Sequence, residues 1–296
     1  MPKRILIQLD CDPQPSTFDS IVAVDAGAEV LLRHGGVTAG TVVPLVHGAM
    51  FTRGGADLAA TAIFIGGSDV VAAEAVHERV TQTFFGPVRV GTMLDPAGAN
   101  TTASAAVVAA SRHLPLADPA SASRLRAVVL GGTGPVGQRV ARLLARKGVA
   151  VTVASRNLAR ATEVCGRIAG VVGDARLDPV EMPTGPSAAG PFRAAIAAAE
   201  LIVSAGAAGV TLLDAAARDV ARSARVLIDL NAVPPAGIDG IVAADKAKTE
   251  RGVVSYGALG VGGTKMKIHR AAIARLFEVP AVTLDAEELL AIGEQL

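Results

Sequence analysis

A glycine-rich segment at residues 128–139 constrains the fold of this chain more than any other feature, because it joins an apolar run to an amphipathic one. Its sequence is VVLGGTGPVGQR, in which Gly132, Gly134 and Gly137 have G-x-G-x-x-G spacing. The first glycine allows a tight turn, the second leaves room for a pyrophosphate, and the third lets a helix pack closely on a strand. The segment therefore predicts a Rossmann-type unit that holds a dinucleotide at a helix N-terminus.

The second predicted strand of this unit, at residues 150–154, indicates which dinucleotide binds. In NAD sites, an Asp or Glu about 20 residues after the glycines holds the ribose 2′-hydroxyl. Here the strand is followed by Ser155, Arg156 and Asn157, without a carboxylate. Because a guanidinium can bind a phosphate through two parallel hydrogen bonds, Ser155 and Arg156 favour NADP, with NAD as the alternative cofactor. In the other interpretation, Arg156 only starts the solvated face of the next helix.

The rest of the chain alternates short apolar runs with amphipathic segments, which is typical of an α/β protein with parallel sheets. Its 296 residues suit two domains, and a segment rich in Pro, Ala and Ser at residues 114–123 predicts the linker. We expect residues 1–120 and the helices of 266–296 to form a substrate domain, and residues 121–265 a Rossmann domain. The predicted strands lie at residues 3–9, 62–66, 88–93, 126–131, 150–154, 200–204, 225–230 and 252–255.

Two segments have patterns that lead to more specific predictions. Residues 18–33 alternate apolar and polar side chains at helical spacing, which predicts one helix. Residues 173–191 contain four prolines and several Gly and Ser residues, which predicts an irregular connection. In the C-terminal tail, Asp285 and Glu288 have the spacing of a capping box at the start of a helix.

Composition and charge argue against several other classes of protein. A net charge of +1 argues against nucleic acid as a partner, and no apolar run reaches the length of a membrane span. Two cysteines and no signal-peptide pattern predict a cytoplasmic protein. The five histidines lack the spacing of a metal site, and there is no G-x-S-x-G motif. We therefore expect no bound metal and no serine-hydrolase chemistry.

Four further segments follow predicted strands, where parallel sheets usually form their ligand crevice. Residues 204–209, 229–235 and 256–265 do so in the predicted Rossmann domain, and residues 95–102 in the other domain. Glycine-rich loops at these positions let the backbone approach a flat nicotinamide ring. Each segment has the alternative interpretation of an ordinary turn, and Asp95 that of a helix cap.

Several longer motifs point to a single family. They are residues 8–12 (QLDCD), 16–19 (STFD), 51–55 (FTRGG), 61–67 (TAIFIGG), 84–87 (FFGP), 93–102 (MLDPAGANTT), 132–137 (GTGPVG), 231–235 (NAVPP) and 257–270 (GALGVGGTKMKIHR). With these motifs the chain resembles, nearly end to end, the NADP-dependent methylene-tetrahydromethanopterin dehydrogenases of one-carbon-oxidising bacteria. The clearest departure is the segment at residues 114–123, where a Gly- and Lys-rich approach to the strand is expected.

The resemblance implies an oxidoreductase with an active cleft between a substrate domain and an NADP domain, and a homo-oligomer, with a trimer favoured. A hydride passes from the methylene carbon of the pterin carrier to NADP and leaves the methenyl form, so alignment and charge matter more than an acid–base pair. The implied catalytic residue is Lys265, whose alternative interpretation is a surface lysine. The predicted pterin-binding residues are Phe18, Asp19, Asp95, Asn100, Thr101 and Thr102. The predicted cofactor-binding residues are Gly132, Thr133, Gly134, Pro135, Val136, Gly137, Ser155, Arg156, Ala205, Gly206, Asn231 and Gly257.

Other proteins share parts of this pattern. A different NADP-dependent dehydrogenase of similar layout, such as a shikimate-type enzyme, needs a Lys–Asp pair for proton transfer, and no other lysine outside the C-terminal tail lies on a suitable loop. A non-catalytic NADP sensor needs neither Lys265 nor the segment 95–102. Within the family that the chain resembles, a methylene-tetrahydrofolate dehydrogenase is the alternative.

Overall fold

The structure, a computed structural model, describes residues 2–183 and 190–296. Its residues form two compact units, Met1–Thr101 with Met266–Leu296, and Thr102–Lys265. The chain passes from one unit to the other twice, each time inside a helix. The first passage comes well before residue 120, where the composition of the linker led us to expect it.

Helices and strands alternate along both units. The helices are α1 (Thr17–Asp25), α2 (Val43–Phe51), α3 (Val70–Thr83), α4 (Ala99–Ser111), α5 (Pro119–Ala122), α6 (Pro135–Arg146), α7 (Leu158–Val171), α8 (Gly190–Ala198), α9 (Ala215–Arg218), α10 (Ala258–Glu278) and α11 (Ala286–Glu294). The strands are β1 (Ile5–Asp10), β2 (Val30–His34), β3 (Thr61–Gly66), β4 (Gly91–Leu94), β5 (Arg126–Leu130), β6 (Ala150–Ser155), β7 (Leu177–Glu181), β8 (Leu201–Ser204), β9 (Val226–Asp229), β10 (Lys248–Glu250), β11 (Val253–Tyr256) and β12 (Thr283–Leu284).

A parallel sheet in the order β12-β4-β3-β1-β2 forms the centre of the first unit. Strand β3 is buried along its whole length, and its Ile63 packs with Met50 of α2 and Val76 of α3 in one apolar cluster. The C-terminal tail belongs to this unit because β12 pairs with β4. The predicted capping box of Asp285 and Glu288 is confirmed at the start of α11.

The helix predicted over residues 18–33 is wrong in its second half, because α1 ends at Asp25 and β2 begins at Val30. Gly27 adopts a φ of 96°, a left-handed conformation that glycine tolerates and that stops the helix. The apolar residues that follow pair in parallel with β1, beginning with Val30 opposite Ile5. Sheet pairing, which the local pattern does not contain, therefore decides this segment.

The second unit is a Rossmann sheet. Its strands run in the order β10-β11-β9-β8-β5-β6-β7, and all neighbours are parallel except β10 and β11. Without β10 this is the 3-2-1-4-5-6 order of dinucleotide-binding folds, with β5 as the first strand. The prediction of an α/β chain with one parallel sheet in the first unit and a Rossmann sheet in the second is confirmed.

Two segments predicted as irregular have regular structure. Strand β7 lies inside the predicted irregular connection, and it extends the sheet because it pairs with β6 from Leu177 opposite Val151. Residues 184–189 of that connection lie outside the described residues. The predicted linker packs into the second unit, since Leu114, Leu116 and Ala122 are buried. Its Pro119 and Ser121 belong to the short helix α5, which Asp118 caps through the Ser121 amide.

Candidate active site

The glycine-rich turn between β5 and α6 has the geometry that its spacing predicts. A Cβ atom at Gly132 would lie 2.8 Å from Val153 Cγ1 and 3.0 Å from the Val129 oxygen, so only glycine fits this tight turn. A Cβ atom at Gly137 would lie 2.8 Å from the Gly132 Cα, so the third glycine lets α6 pack against the turn. The first and third glycines are therefore required by the fold.

Gly134 differs from the other two glycines because the fold leaves room for a Cβ atom at this position. A Cβ atom there would be 3.4 Å from the Gly131 oxygen and 3.5 Å from the Ala205 oxygen, which are ordinary contact distances. Gly134 is the N-cap of α6 and also lines a cavity of about 370 Å³. The wall of this cavity, here called the nucleotide cavity, consists of Gly131, Thr133, Gly134, Pro135, Ser155, Arg156, Asn157, Arg160, Met182, Ala205, Gly206, Ala207, Val210 and Leu212.

The polar rim of the nucleotide cavity follows β6. The Ser155 hydroxyl lies 3.2 Å from the Thr133 hydroxyl and accepts a hydrogen bond of 3.2 Å from the Asn157 amide. The Asn157 side chain in turn caps α7 by accepting from the Arg160 amide. Arg156 is exposed and lines the cavity, as does Arg160. Two guanidinium groups at this rim suit a doubly charged phosphate.

Arg160 is a cavity residue that the sequence reasoning missed. It lies four residues after Arg156, and the first turn of α7 carries it back to the same rim. An arginine at this spacing after a strand-end Ser-Arg pair is the signal that could have identified it. Met182 and Leu212 could not have been found in this way, because sheet pairing and loop packing bring them to the cavity.

Five predicted cofactor residues do not line the nucleotide cavity directly. Gly132 and Gly137 shape the turn, whereas Asn231 braces a loop by bonding the Gly209 amide at 3.4 Å and the Pro235 oxygen at 2.9 Å. Gly257 packs against a neighbouring segment, because a Cβ atom there would lie 2.6 Å from the Ala243 oxygen. Val136 is the second residue of α6 and is also not part of the lining.

Phe18 and Asp19, two predicted pterin residues, begin α1 beside the carboxyl ends of β1 and β3. Ser16 caps this helix through the Asp19 amide, which holds Asp19 in the first turn. The Phe18 side chain is 49% exposed, so it is available to a ligand. A Cβ atom at Gly66 would lie 3.5 Å from Asp10 Oδ2 and 3.8 Å from Asp19 Oδ2, which places both carboxylates at the end of β3.

His269, which entered the sequence analysis only as part of the motif at residues 257–270, lies next to the predicted pterin residue Phe18. Its ring is fully buried, lies 6.3 Å from the Phe18 ring and stacks on Phe64 at 5.8 Å between centroids. Its Nε2 atom is 3.9 Å from Asp19 Oδ1. Because His269 lies far from Phe18 along the chain, no local sequence pattern predicts their contact. The only indication is the place of His269 in the motif at residues 257–270.

Of the other four predicted pterin residues, all but Thr102 form a buried hydrogen-bond network at the start of α4. The Asp95 carboxylate accepts from the Asn100 amide at 2.9 Å, the Thr101 amide at 3.0 Å and the Thr101 hydroxyl at 2.6 Å. The Asn100 side chain donates to Asp285 Oδ1 at 2.6 Å. Asp95 is therefore a helix cap in this structure, and of these residues Thr102 alone is partly exposed.

Lys265 lies inside α10, so the loop predicted over residues 256–265 is wrong from Ala258 onward. Its glycines allow the first turn of the helix to approach a neighbouring segment, where the Leu259 amide donates to the Ala243 oxygen at 2.8 Å. Tertiary contact thus offsets the low helix propensity of glycine. Lys265 is partly buried and is the last residue of the second unit, whereas Lys267 is exposed.

Neither cysteine is set up as a nucleophile. Burial raises the pKa of the Cys11 thiol to about 11, with Asp10, Asp12 and Asp69 adding to the effect. Burial, followed by Asp178, raises the pKa of Cys165 to about 11 as well.

We expect both thiols to resist labelling at about pH 8. Because only the thiolate attacks, an aromatic disulfide reagent should react roughly 100-fold more slowly with the native protein than with the unfolded chain. The native rate should rise about tenfold per pH unit until the pH approaches the thiol pKa. Cys165→Ser isolates Cys11, and a native rate that levels off between about pH 8 and 9 would contradict the raised pKa.

The comparisons with known proteins agree on one family. Residues 17–97 match the family model described as methylene-tetrahydromethanopterin dehydrogenase, N-terminal. The chain is 41% identical to the bifunctional protein MdtA of Methylorubrum extorquens, over the full length of both proteins. It is 33% identical to the NAD(P)-dependent methylenetetrahydromethanopterin dehydrogenase of the same organism, over 90% of this chain and 89% of that protein. The chain belongs to the methylene-tetrahydromethanopterin dehydrogenase family.

Membership of this family confirms the predicted resemblance and the predicted class, an NAD(P)-dependent oxidoreductase. The fold is similar to that of quinate dehydrogenase from Corynebacterium glutamicum in complex with NAD, with a TM-score of 0.53 at 17% identity over 99% of both chains. That similarity supports the two-unit Rossmann architecture of this family member.

Within residues 2–183 and 190–296, no helix is both long and apolar enough to cross a membrane. The same residues hold no group of three His, Cys, Asp or Glu side chains arranged to bind a metal ion.

Proposed function

We propose that this protein oxidises methylene-tetrahydromethanopterin with NADP. The observation that carries the proposal is the nucleotide cavity, in which the glycine turn and two arginines of the second unit meet in a protein of this family. When bound, NADP supplies an acceptor for the hydride and its electron pair. The C–H bond of the methylene carbon breaks, and the hydrogen leaves with both bonding electrons. The carbon becomes the methenyl cation, whose charge is shared by two nitrogens.

The nucleotide cavity fits NADP because the pyrophosphate and the 2′-phosphate each have a matching feature in its wall. A Gly134 side chain would fill the space beside the N-terminus of α6, so glycine leaves that space to the pyrophosphate. Arg156 and Arg160 can bind the 2′-phosphate at the rim, while Ser155 holds the rim in place. Ala205 and Gly206 have small side chains, so the cofactor can approach their backbone closely.

On the substrate side, we propose that Phe18 offers an aromatic face to the pterin and that Asp19 accepts from its N–H donors. His269 packs against both residues and positions them. The capping network keeps Asp95, Asn100 and Thr101 away from direct contact, so we expect them to shape the site, with Thr102 as the residue that reaches the ligand.

The remaining proposals rest on the family. We propose that Lys265 is the catalytic residue, which orients the reactants and tunes charge, and that the protein is a cytoplasmic homo-oligomer with a trimer favoured. We propose no nucleic-acid or membrane partner. An assay at the NADPH absorbance band, with methylene-tetrahydromethanopterin and methylene-tetrahydrofolate side by side, tests the function. The absence of turnover with either carrier would overturn it and favour an NADP sensor.

Removal of the Arg156 guanidinium should separate NADP from NAD. We expect Arg156→Ala to weaken NADP binding by about 1.5–3 kcal/mol, the value of a charged hydrogen bond, and to leave NAD binding nearly unchanged. Calorimetric titration with both nucleotides measures the difference. Arg167→Ala is the control, because Arg167 is exposed on α7, the helix that follows Arg156, and donates to Gln138 outside the cavity lining. Equal losses for NAD and NADP would assign Arg156 to the fold instead.

A further inference from the structure

Part of the wall of the nucleotide cavity is held by a loop that does not itself line the cavity. Val210 and Leu212 line the cavity, and they belong to the connection between β8 and α9. The amides of Leu212 and Leu213 donate to the Gly237 oxygen at 2.8 and 3.0 Å. The Thr211 hydroxyl donates to the Ala236 oxygen at 2.9 Å. The wall is therefore attached to residues 236–237 of a second loop.

A buried carboxylate holds that second loop in place. Asp229, at the end of β9, is 1% exposed, and its Oδ2 accepts from the Gly237 amide at 2.7 Å and the Ile238 amide at 3.2 Å. Its Oδ1 accepts from the Asn231 amide at 3.1 Å. One side chain thus fixes both ends of the loop at residues 231–238.

Close packing makes this arrangement specific. A Cβ atom at Gly237 would lie 2.7 Å from Asp229 Oδ1 and would also collide with the Ser204 hydroxyl. Gly206, on the other side of the wall, would collide with the Leu212 side chain if it carried a Cβ atom. The carboxylate, the 236–237 backbone, Leu212 and the Gly206 backbone therefore form one contiguous series of contacts that ends in the cavity.

We propose that Asp229 is a positioning residue for the nucleotide, which acts through Gly237 and Leu212 on the wall of the nucleotide cavity. This inference rests on the proposed function, because it takes the cavity to be the NADP site. Asp229 is not part of the cavity lining, and none of its three bonds goes to a cavity residue. Its effect on NADP binding is therefore indirect.

Asp229→Asn tests the proposal, because it keeps the shape and replaces one acceptor oxygen with a donor that must face a backbone N–H. We expect the NADP dissociation constant to rise about tenfold, the equivalent of one lost buried hydrogen bond. The KM for the pterin and kcat at saturating NADP should stay within about twofold, since only the nucleotide wall moves. A purely structural role would instead lower the thermal midpoint and leave nucleotide affinity unchanged.

Two further variants keep the test decisive. Thr211 is exposed, and the nearly isosteric Thr211→Val removes only the hydrogen bond to the Ala236 oxygen. We expect the NADP dissociation constant to rise roughly twofold to fivefold. This variant tests the wall even if Asp229→Asn does not fold. Asp118→Asn is the control, because it removes a capping carboxylate of the same unit that lies outside the cavity. It should leave NADP binding unchanged.

The outcomes separate the inference from the proposed function. Calorimetry of the wild-type protein with NADP alone tests the cavity as a nucleotide site, without any pterin. If the wild type binds no NADP, the proposed function fails. If the wild type binds NADP and both Asp229→Asn and Thr211→Val bind it equally well, the role of Asp229 is overturned while the proposed function stands.

Discussion

Lys265→Ala should reduce turnover with methylene-tetrahydromethanopterin by about 100-fold or more. Since about 1.36 kcal/mol of activation free energy changes a rate tenfold, the barrier should rise by roughly 2.7 kcal/mol. Hydride transfer from a carbon between two nitrogens moves no proton, so the lysine would act through orientation and charge. Its NADP dissociation constant should hardly change, because Lys265 is not part of the nucleotide cavity. Stopped-flow turnover and calorimetric binding measure the two effects separately.

Lys267→Ala is the matched control for this prediction. Both lysines lie in α10, and a spacing of two residues directs them to different faces of the helix. Lys267 is exposed, whereas Lys265 is partly buried. Wild-type turnover in the Lys265→Ala protein would show that Lys265 has no catalytic role, and an equal loss in both variants would point to a general effect of positive charge.

Gly134→Val should abolish measurable NADP binding while the protein stays folded. A Cβ atom at this position meets ordinary contact distances of 3.4 and 3.5 Å, so the fold can accept a side chain. The branched side chain would, however, occupy the space in which the backbone must approach the pyrophosphate. Calorimetry with NADP measures the binding, and circular dichroism checks the fold.

Two other glycines serve as controls for this substitution. Gly166→Val places the same side chain on α7, where a Cβ atom meets nothing within 4 Å, so NADP binding should persist. Gly137→Ala should instead destabilise the protein, because its Cβ atom would lie 2.5 Å from the Gly131 oxygen. Normal NADP affinity in a folded Gly134→Val protein would contradict the assignment of the turn.

The glycine turn and the rim of the nucleotide cavity could be predicted from the sequence because their conformation depends on neighbouring residues. The steric requirement at Gly137 involves Gly131 and Gly132, which are only a few residues away. Arg156, which stands where NAD sites have a carboxylate, directly follows strand β6. Even Arg160, which was missed, follows from helical spacing within the same segment.

The surroundings of the predicted pterin residues were harder to predict because they combine residues from opposite ends of the chain. Asp95 and Asn100 looked like ligand residues beside a strand end, yet Asn100 bonds Asp285 and Asp95 caps α4. His269 lies in α10 and packs against Phe18. Such contacts depend on how a tail more than 100 residues away returns to the first sheet, and no local pattern contains that information.

The sequence by itself determined the elements whose conformation is set by neighbouring residues: the glycine turn, the caps of α1 and α11, and the alternation that produces two parallel sheets. Only the tertiary structure decided segments whose local preferences were weak or opposed. Residues 30–34 and 177–181 became strands because a neighbouring strand completes their backbone hydrogen bonds, and the glycine-rich start of α10 became helical because close packing on residues 242–246 outweighs its propensity. Asp229 belongs with these, since its three backbone donors are assembled only when the loop at residues 231–238 folds back over β9.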